Sequence, residues 1–237
     1  MVQNRAVRKK RLTRGYRAAG AVFLVFVLFT VLAVTVGTET VPAKEIAGDG
    51  WVRSGTETVR VGFSGINVPV SDGMGYSGTW FRISKYLGYA CILLAVGCAA
   101  VFPWQLIRRR SLRRVDHDVQ AMVFLLLVFA ALYFLFELLS LNYRPVIVDM
   151  AEWPEASYPS THTLMGGLLA VGAGLFLWKK LAGTAFRTPA ACAAFVLGAA
   201  TVVTRFLSGV HWLTDIVGGL LLSLSVILLF KTLLDAR

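Results

Sequence analysis

Charge is what this 237-residue chain has least of. Asp, Glu, Lys and Arg make up 16% of it, against about 25% in an ordinary soluble domain, while 57% of its residues are hydrophobic and its mean hydropathy is +0.67. That balance excludes a soluble globular protein and points to an integral membrane protein with one membrane domain. Cysteine is scarce as well. Cys91, Cys98 and Cys192 all lie in apolar stretches, and none stands at metal-ligand spacing from a His. Cys91 and Cys98 are too far apart along one helix to bridge, so all three read as small core residues. Acidic residues number 13 against 24 Lys and Arg, a net charge of +11. Such an excess would suit nucleic acid only on a folded soluble module with a basic face. No stretch offers that module, so nucleic acid is not an expected partner, and the bases are expected in cytoplasmic loops.

What is there is a set of six apolar runs, each long enough to cross hydrocarbon about 30 Å thick. The first covers roughly 18–36 and follows a basic tail, residues 1–17, that holds Arg5, Arg8, Lys9, Lys10, Arg11, Arg14 and Arg17. No small-x-small cleavage site comes after it, so it reads as an uncleaved anchor. The others cover roughly 86–107, 119–141, 161–178, 188–207 and 210–230, with Pro103 expected to kink the second near its inner end. Residues 38–82 are polar and rich in Gly, Ser and Thr. Thr58 to Phe63 alternate, and turn signals stand at Ser54-Gly55 and Ser71-Asp72-Gly73. This predicts an extracytoplasmic loop with a small β-hairpin, its Trp51, Phe63, Tyr76, Trp80 and Phe81 resting at the headgroups. Seventeen of the 24 Lys and Arg fall in the tail, the two loops after the second and fourth runs, and the C-terminus after the sixth. The positive-inside rule then sets both termini in the cytoplasm.

With that orientation Glu137, Arg144, His162, Arg205, His211 and Asp215 gather on the outer side. Ionisable groups at the edge of a hydrocarbon slab are costly and read as functional by default. His211 and Asp215 are four apart, on one face of a helix, so the carboxylate can hold one ring nitrogen and leave the other free to act. Arg205 lies six residues earlier, across the Ser208-Gly209 break. Arg144 precedes Pro145, which stops the third span and leaves the guanidinium at its mouth. Pro159-Ser160 starts the fourth span, with Ser160 a candidate N-cap and His162 in the first turn. Open backbone N–H groups at a helix start form an anion site. Singly, these features also fit snorkelling arginines, ordinary caps and packing histidines; together they supply a nucleophile, its orienter and an anion clamp, the kit for attack on phosphorus. His117, in the basic inner loop, has no expected role.

These residues resemble the type 2 phosphatidic acid phosphatase superfamily, integral membrane lipid phosphatases related to the vanadium haloperoxidases. The family's third motif, Ser-Arg, five residues, His, three residues, Asp, reads Thr204-Arg205 to His211 to Asp215 here. Its second, Pro-Ser-Gly-His, reads Pro159-Ser160-Thr161-His162. Its first, Lys, six residues, Arg-Pro, reads Glu137 to Arg144-Pro145. The resemblance implies an all-α bundle of six transmembrane helices with the loop insertion after the first. The membrane phosphatase domain would then cover 18–237. It also implies that His211 attacks phosphorus, Asp215 orients it, and His162 protonates the leaving oxygen. Arg144, Arg205 and the N–H groups around Ser160 and Thr161 would hold the phosphoryl oxygens. No metal and no cofactor are implied. A carboxylate cannot replace the first motif's Lys, and no Lys occurs between Lys85 and Lys179. Two readings of Glu137 stay open. It pairs with Arg144 or Arg205 while Arg82 or Lys85 supplies the missing charge, or it is a structural acceptor.

The function expected from the resemblance is hydrolysis of a lipid phosphate or diphosphate at the outer face of the plasma membrane, undecaprenyl diphosphate first. Phosphatidate and phosphatidylglycerophosphate are the other candidates. A lipid phosphotransferase would use the same site, and a non-catalytic anion-binding membrane protein would carry the same cluster. The expected partners are the lipid phosphate substrate and membrane lipids; nothing in the sequence fixes an oligomer.

Overall fold

The apolar runs become helices because a chain in hydrocarbon must satisfy its backbone polar groups within the segment. The computed structural model describes residues 2–46, 52–148, 151 and 153–236. Among these, six helical spans are long and apolar enough to cross a membrane: Val7–Thr35, Gly78–Arg109, His117–Leu139, Thr161–Lys180, Arg187–Leu207 and Leu213–Leu234. The first belongs to α1 (Val2–Thr35), which carries the basic residues from Arg8 to Arg17 on the same continuous helix. The second is α3 (Gly78–Ala99) followed by α4 (Val101–Arg109), broken at Ala100. Pro103 has no N–H to give the carbonyl of Ala99, four residues back, so the break falls where its ring disrupts the ladder. The third is α5 (His117–Leu139). The fourth begins as α6 (Thr161–Leu164), widens into a π-helical stretch at Met165–Ala170, and continues as α7 (Val171–Lys180). The last two are α8 (Arg187–Leu207) and α9 (Leu213–Leu234).

Lipid tails are as apolar as leucine, so close packing rather than water exclusion must hold these helices together. Small residues provide it. A Cβ on Gly198 of α8 would lie 2.7 Å from the carbonyl oxygen of Gly166. The main core gathers Cys91, Ala95, Met122, Leu125, Leu169, Ala173 and Phe230. α1 packs along α9, and Thr30 on α1 shares a 2.7 Å hydrogen bond with the hydroxyl of Tyr158, which ties the anchor to the loop before α6. Cys192, read from the sequence as a core residue, is exposed on α8.

The insertion after α1 holds more than a hairpin. β1 (Glu39–Ile46) and β2 (Val52–Val61) pair antiparallel, and β3 (Val146–Ile147), from the loop after α5, joins β1 in parallel to give the order β2-β1-β3. Ser54-Gly55, expected as a turn, lies within β2. Trp51, expected at the headgroups, lies outside the described residues. Ser71-Asp72-Gly73, the other expected turn, belongs to α2 (Ser64–Met74). The reason is a polar stripe. Ser64, Asn67 and Ser71 are buried at helical spacing, so the periodicity that matters here is polar, and a search for apolar repeats passes over it. The sheet covers the start of α9: Ala43, Val59, Val61 and Ile147 pack with Trp212.

The junction between α2 and α3 presses on the link between α8 and α9. The N–H of Ser77 donates to the carbonyl of Ser208 (3.1 Å), and a Cβ on Gly209 would stand 1.8 Å from the carbonyl oxygen of Gly75. Gly209 also has φ +70°, a left-handed conformation that disfavours any side chain. Gly20, within α1, has no such backbone and nothing near its would-be Cβ. Gly209→Ala is therefore expected to destabilise by more than about 1 kcal/mol, from the strain plus the clash, whereas Gly20→Ala, which gives a helix a better former, should not destabilise. Thermal unfolding of the two detergent-solubilised variants checks this; equal midpoints would refute it.

Candidate active site

The site lies where α8 ends and α6 and α9 begin. His211 is not on a helix, as its spacing to Asp215 had predicted, but in the bend just before the N-cap residue Trp212. Asp215 is in the first turn of α9. Its Oδ2 accepts the N–H of Trp212 (3.1 Å), closing the helix start, and lies 3.3 Å from Nδ1 of His211. Its Oδ1 accepts from Asn142 Nδ2 at 3.3 Å. The side chain is fully buried, so these contacts fix one rotamer. A carboxylate at Nδ1 makes that nitrogen the N–H of the neutral ring. Nε2 then carries the lone pair, and it is buried with no hydrogen-bond partner among the described residues. Burial, and then the positive charges of Arg205 and Arg144, hold the pKa of His211 well below the usual histidine range, so the ring is neutral at pH 7.

Arg205, in the last turn of α8, is only 1% exposed. Its guanidinium stands 5.3 Å from the ring centroid of Phe81 on α3. Phe81 was expected among the interfacial aromatics; it is buried instead, as a platform for this cation. Lys85, one turn further along α3, lies 6.0 Å from the same ring. Arg144 is placed by a short antiparallel pairing of its loop: Tyr143 bridges Ala156, Arg144 N–H donates to the Glu155 carbonyl (3.0 Å), and Ser157 N–H donates to the Asn142 carbonyl (2.8 Å). Its guanidinium also meets the Glu155 carboxylate at 2.7 Å, while its Nε stays buried with no hydrogen-bond partner among the described residues.

Ser160 caps α6, its hydroxyl accepting from Thr163 N–H (3.4 Å), and its own N–H donates to the Asp215 carbonyl (3.1 Å). That bond joins the starts of α6 and α9 and uses one N–H that an anion would otherwise have. Thr161 follows, half-buried. His162 packs on α3 where Gly88 leaves room: a Cβ there would be 2.9 Å from the ring. His162 is within electrostatic reach of Arg205, Arg144 and Lys85, and its Nδ1 is buried without a hydrogen-bond partner among the described residues. The structure thus brings together His211, Asp215, His162, Arg144, Arg205, Ser160 and Thr161, with Lys85 beside them.

Two expectations change. Glu137 makes no ion pair with Arg144 or Arg205; it is exposed near the end of α5, and the carboxylate that meets Arg144 is Glu155. The helix reverses at Ser140, in a left-handed conformation, before the chain reaches Arg144, so the first motif's spacing does not bring its two ends together. Arg82 is exposed too, whereas Lys85 lies within electrostatic reach of His162. Sequence reasoning also missed Asn67 on α2. Fully buried, it donates to the Thr214 hydroxyl (2.9 Å) and accepts from the Thr214 N–H (3.2 Å), clamping the insertion onto the residue next to Asp215. Only its place in a polar stripe at helical spacing could have signalled it.

This arrangement can present an imidazole lone pair to an anionic centre held by guanidinium groups. It predicts that nitrogen-15 NMR finds the His211 ring neutral at pH 6.5 with its hydrogen on Nδ1, and that the ring protonates only at lower pH. Asp215→Asn should shift the hydrogen toward Nε2. A ring that protonates near pH 6.5 or above would contradict the geometry.

Comparison with known proteins agrees with this. No curated protein matches the chain in sequence. The crystal structure of the first transmembrane PAP2 type phosphatidylglycerolphosphate phosphatase, from Bacillus subtilis, has a similar fold. Its TM-score is 0.55 at 16% identity, over 90% of this chain and 94% of that one. Residues 126–237, which contain His162, Arg144, Arg205, His211 and Asp215, match the PAP2 superfamily.

Proposed function

We propose that the chain is a membrane lipid phosphatase that cleaves a lipid phosphate or diphosphate through a phosphohistidine. The observation that carries this reading is the buried His211–Asp215 pair, with Nε2 unpaired near Arg205 and Arg144. In the first step Nε2 of His211 attacks phosphorus and the bond to the leaving oxygen breaks. His162 gives that oxygen a proton, and Asp215 stabilises the positive charge on the His211 ring. In the second step water attacks the phosphohistidine, His162 takes back a proton, phosphate leaves and His211 is regenerated. Arg144 and Arg205 hold the equatorial oxygens, where charge builds up in the transition state.

Undecaprenyl diphosphate is the first substrate we assign. The reason is the third cation: Lys85 beside His162 suits the second phosphoryl group of a diphosphate. The fold likeness favours a second reading, phosphatidylglycerophosphate. We assign the site to the extracytoplasmic face, following the distribution of Lys and Arg.

Phosphate release from undecaprenyl diphosphate, phosphatidylglycerophosphate and phosphatidate by the purified protein tests this, with EDTA present and His211→Ala alongside. Release from at least one lipid that persists in EDTA and vanishes in the variant is expected; release that survives His211→Ala would refute the mechanism. Asp215→Asn should lower kcat by roughly 10³–10⁴-fold, the usual cost when a buried carboxylate no longer orients a histidine. The depressed pKa of His211 has a definite sign. The nucleophile is neutral above that pKa and protonates below it, so the acid limb of kcat/KM assigned to His211 should fall below pH 6.5. Lys85→Ala should raise KM, and more for a diphosphate than a monoester, whereas Glu137→Gln should leave both parameters near wild type. The reverse pattern would return Glu137 to the site.

A further inference from the structure

At the end of the bundle away from His211 lies a cavity of about 620 Å³, within the range of small-ligand sites. It is formed where α7 and α9 end and α8 begins, with Arg11 of α1 at its edge. Arg11, Lys179, Arg187 and Lys231 line it against one carboxylate, Asp235. Asp235 is shared by Arg11 (2.8 Å) and Lys231 (2.9 Å). Lys179 donates to the Leu234 carbonyl and makes no ion pair with a described residue. Arg187 donates from Nε to the Trp178 carbonyl (2.9 Å) and stacks on the Trp178 ring at 3.9 Å, again with no ion pair to a described residue. The stacking fixes the plane of that guanidinium and leaves its outer edge for another acceptor. Trp178 and Phe195, which also line the cavity, are 43% and 37% exposed, on helices whose exposed sides face lipid.

Four cations around one shared carboxylate, at the level where helices leave the hydrocarbon and beside exposed aromatics, match an anionic phospholipid: phosphate inward, acyl chains along the apolar wall. We propose that this cavity binds the phosphate of an anionic phospholipid from the leaflet opposite the catalytic site. The inference rests on the membrane fold and the cavity, and stands or falls separately from the proposed reaction.

The test uses the full chain in an uncharged detergent, given mixtures of phosphatidylglycerol and phosphatidylcholine, with bound lipid counted by native mass spectrometry. Wild type is expected to retain one phosphatidylglycerol in preference to phosphatidylcholine. Arg187→Gln/Lys231→Gln should weaken that retention by about tenfold or more, the cost of losing a charge-assisted contact. Arg14→Gln/Arg17→Gln, which removes two cations from α1 outside the cavity, should retain it like wild type. Absence of preference in wild type overturns the proposal whether or not the double variant folds. So do equal retention by Arg187→Gln/Lys231→Gln, equal loss in the α1 control, or loss of the lipid to excess inorganic phosphate.

Discussion

The site depends on one buried carboxylate. Asp215 is fully out of water, and each of its oxygens is held. The bond from Trp212 N–H closes the start of α9, the contact with His211 sets the imidazole tautomer, and Asn142 holds the other oxygen. One side chain thus serves as helix cap and as histidine orienter. A buried ion without such contacts would be costly. The local fold and the proposed chemistry rest on the same atoms, and a substitution there is expected to disturb both.

Around it each cation of the site has a neighbour within the protein. Arg205 has the face of Phe81, Arg144 has Glu155, and Lys85 lies by Phe81 and His162. Guanidinium groups fixed in this way need no reorganisation when an anion arrives. The insertion after the first helix takes part in that order. Asn67 grips Thr214, the sheet covers Trp212, and the α2–α3 junction presses on Gly209, so a segment remote in sequence holds the loop that carries His211.

Most of the architecture was legible in the sequence because hydrocarbon imposes a simple rule on length and composition. The six spans follow the apolar runs, and the Pro103 kink appears as a break at Ala100. The second begins at Gly78, well before its apolar run, and these additional helical residues include Phe81 and Lys85, which lie beside the site. Residues with the spacings of the second and third motifs do meet. α2 was not legible, because its buried face is polar. The pairing of Arg144 was not legible either: spacing suggested Glu137, but the chain reverses at Ser140 and doubles back, so Glu155, eleven residues on, is the neighbour.

By itself the sequence determined that the chain crosses a membrane six times, and which ionisable residues gather at one end. Both follow from local properties, the cost of burying polar groups and the periodicity of a helix. Only the tertiary structure decided who partners whom. That His211 sits outside the helix that Asp215 caps, that α3 supplies a ring and a cation to the site, and that Asn67 clamps it are matters of contact between distant segments. Such contacts depend on how helices cross and loops fold back, and no local pattern of residues encodes them.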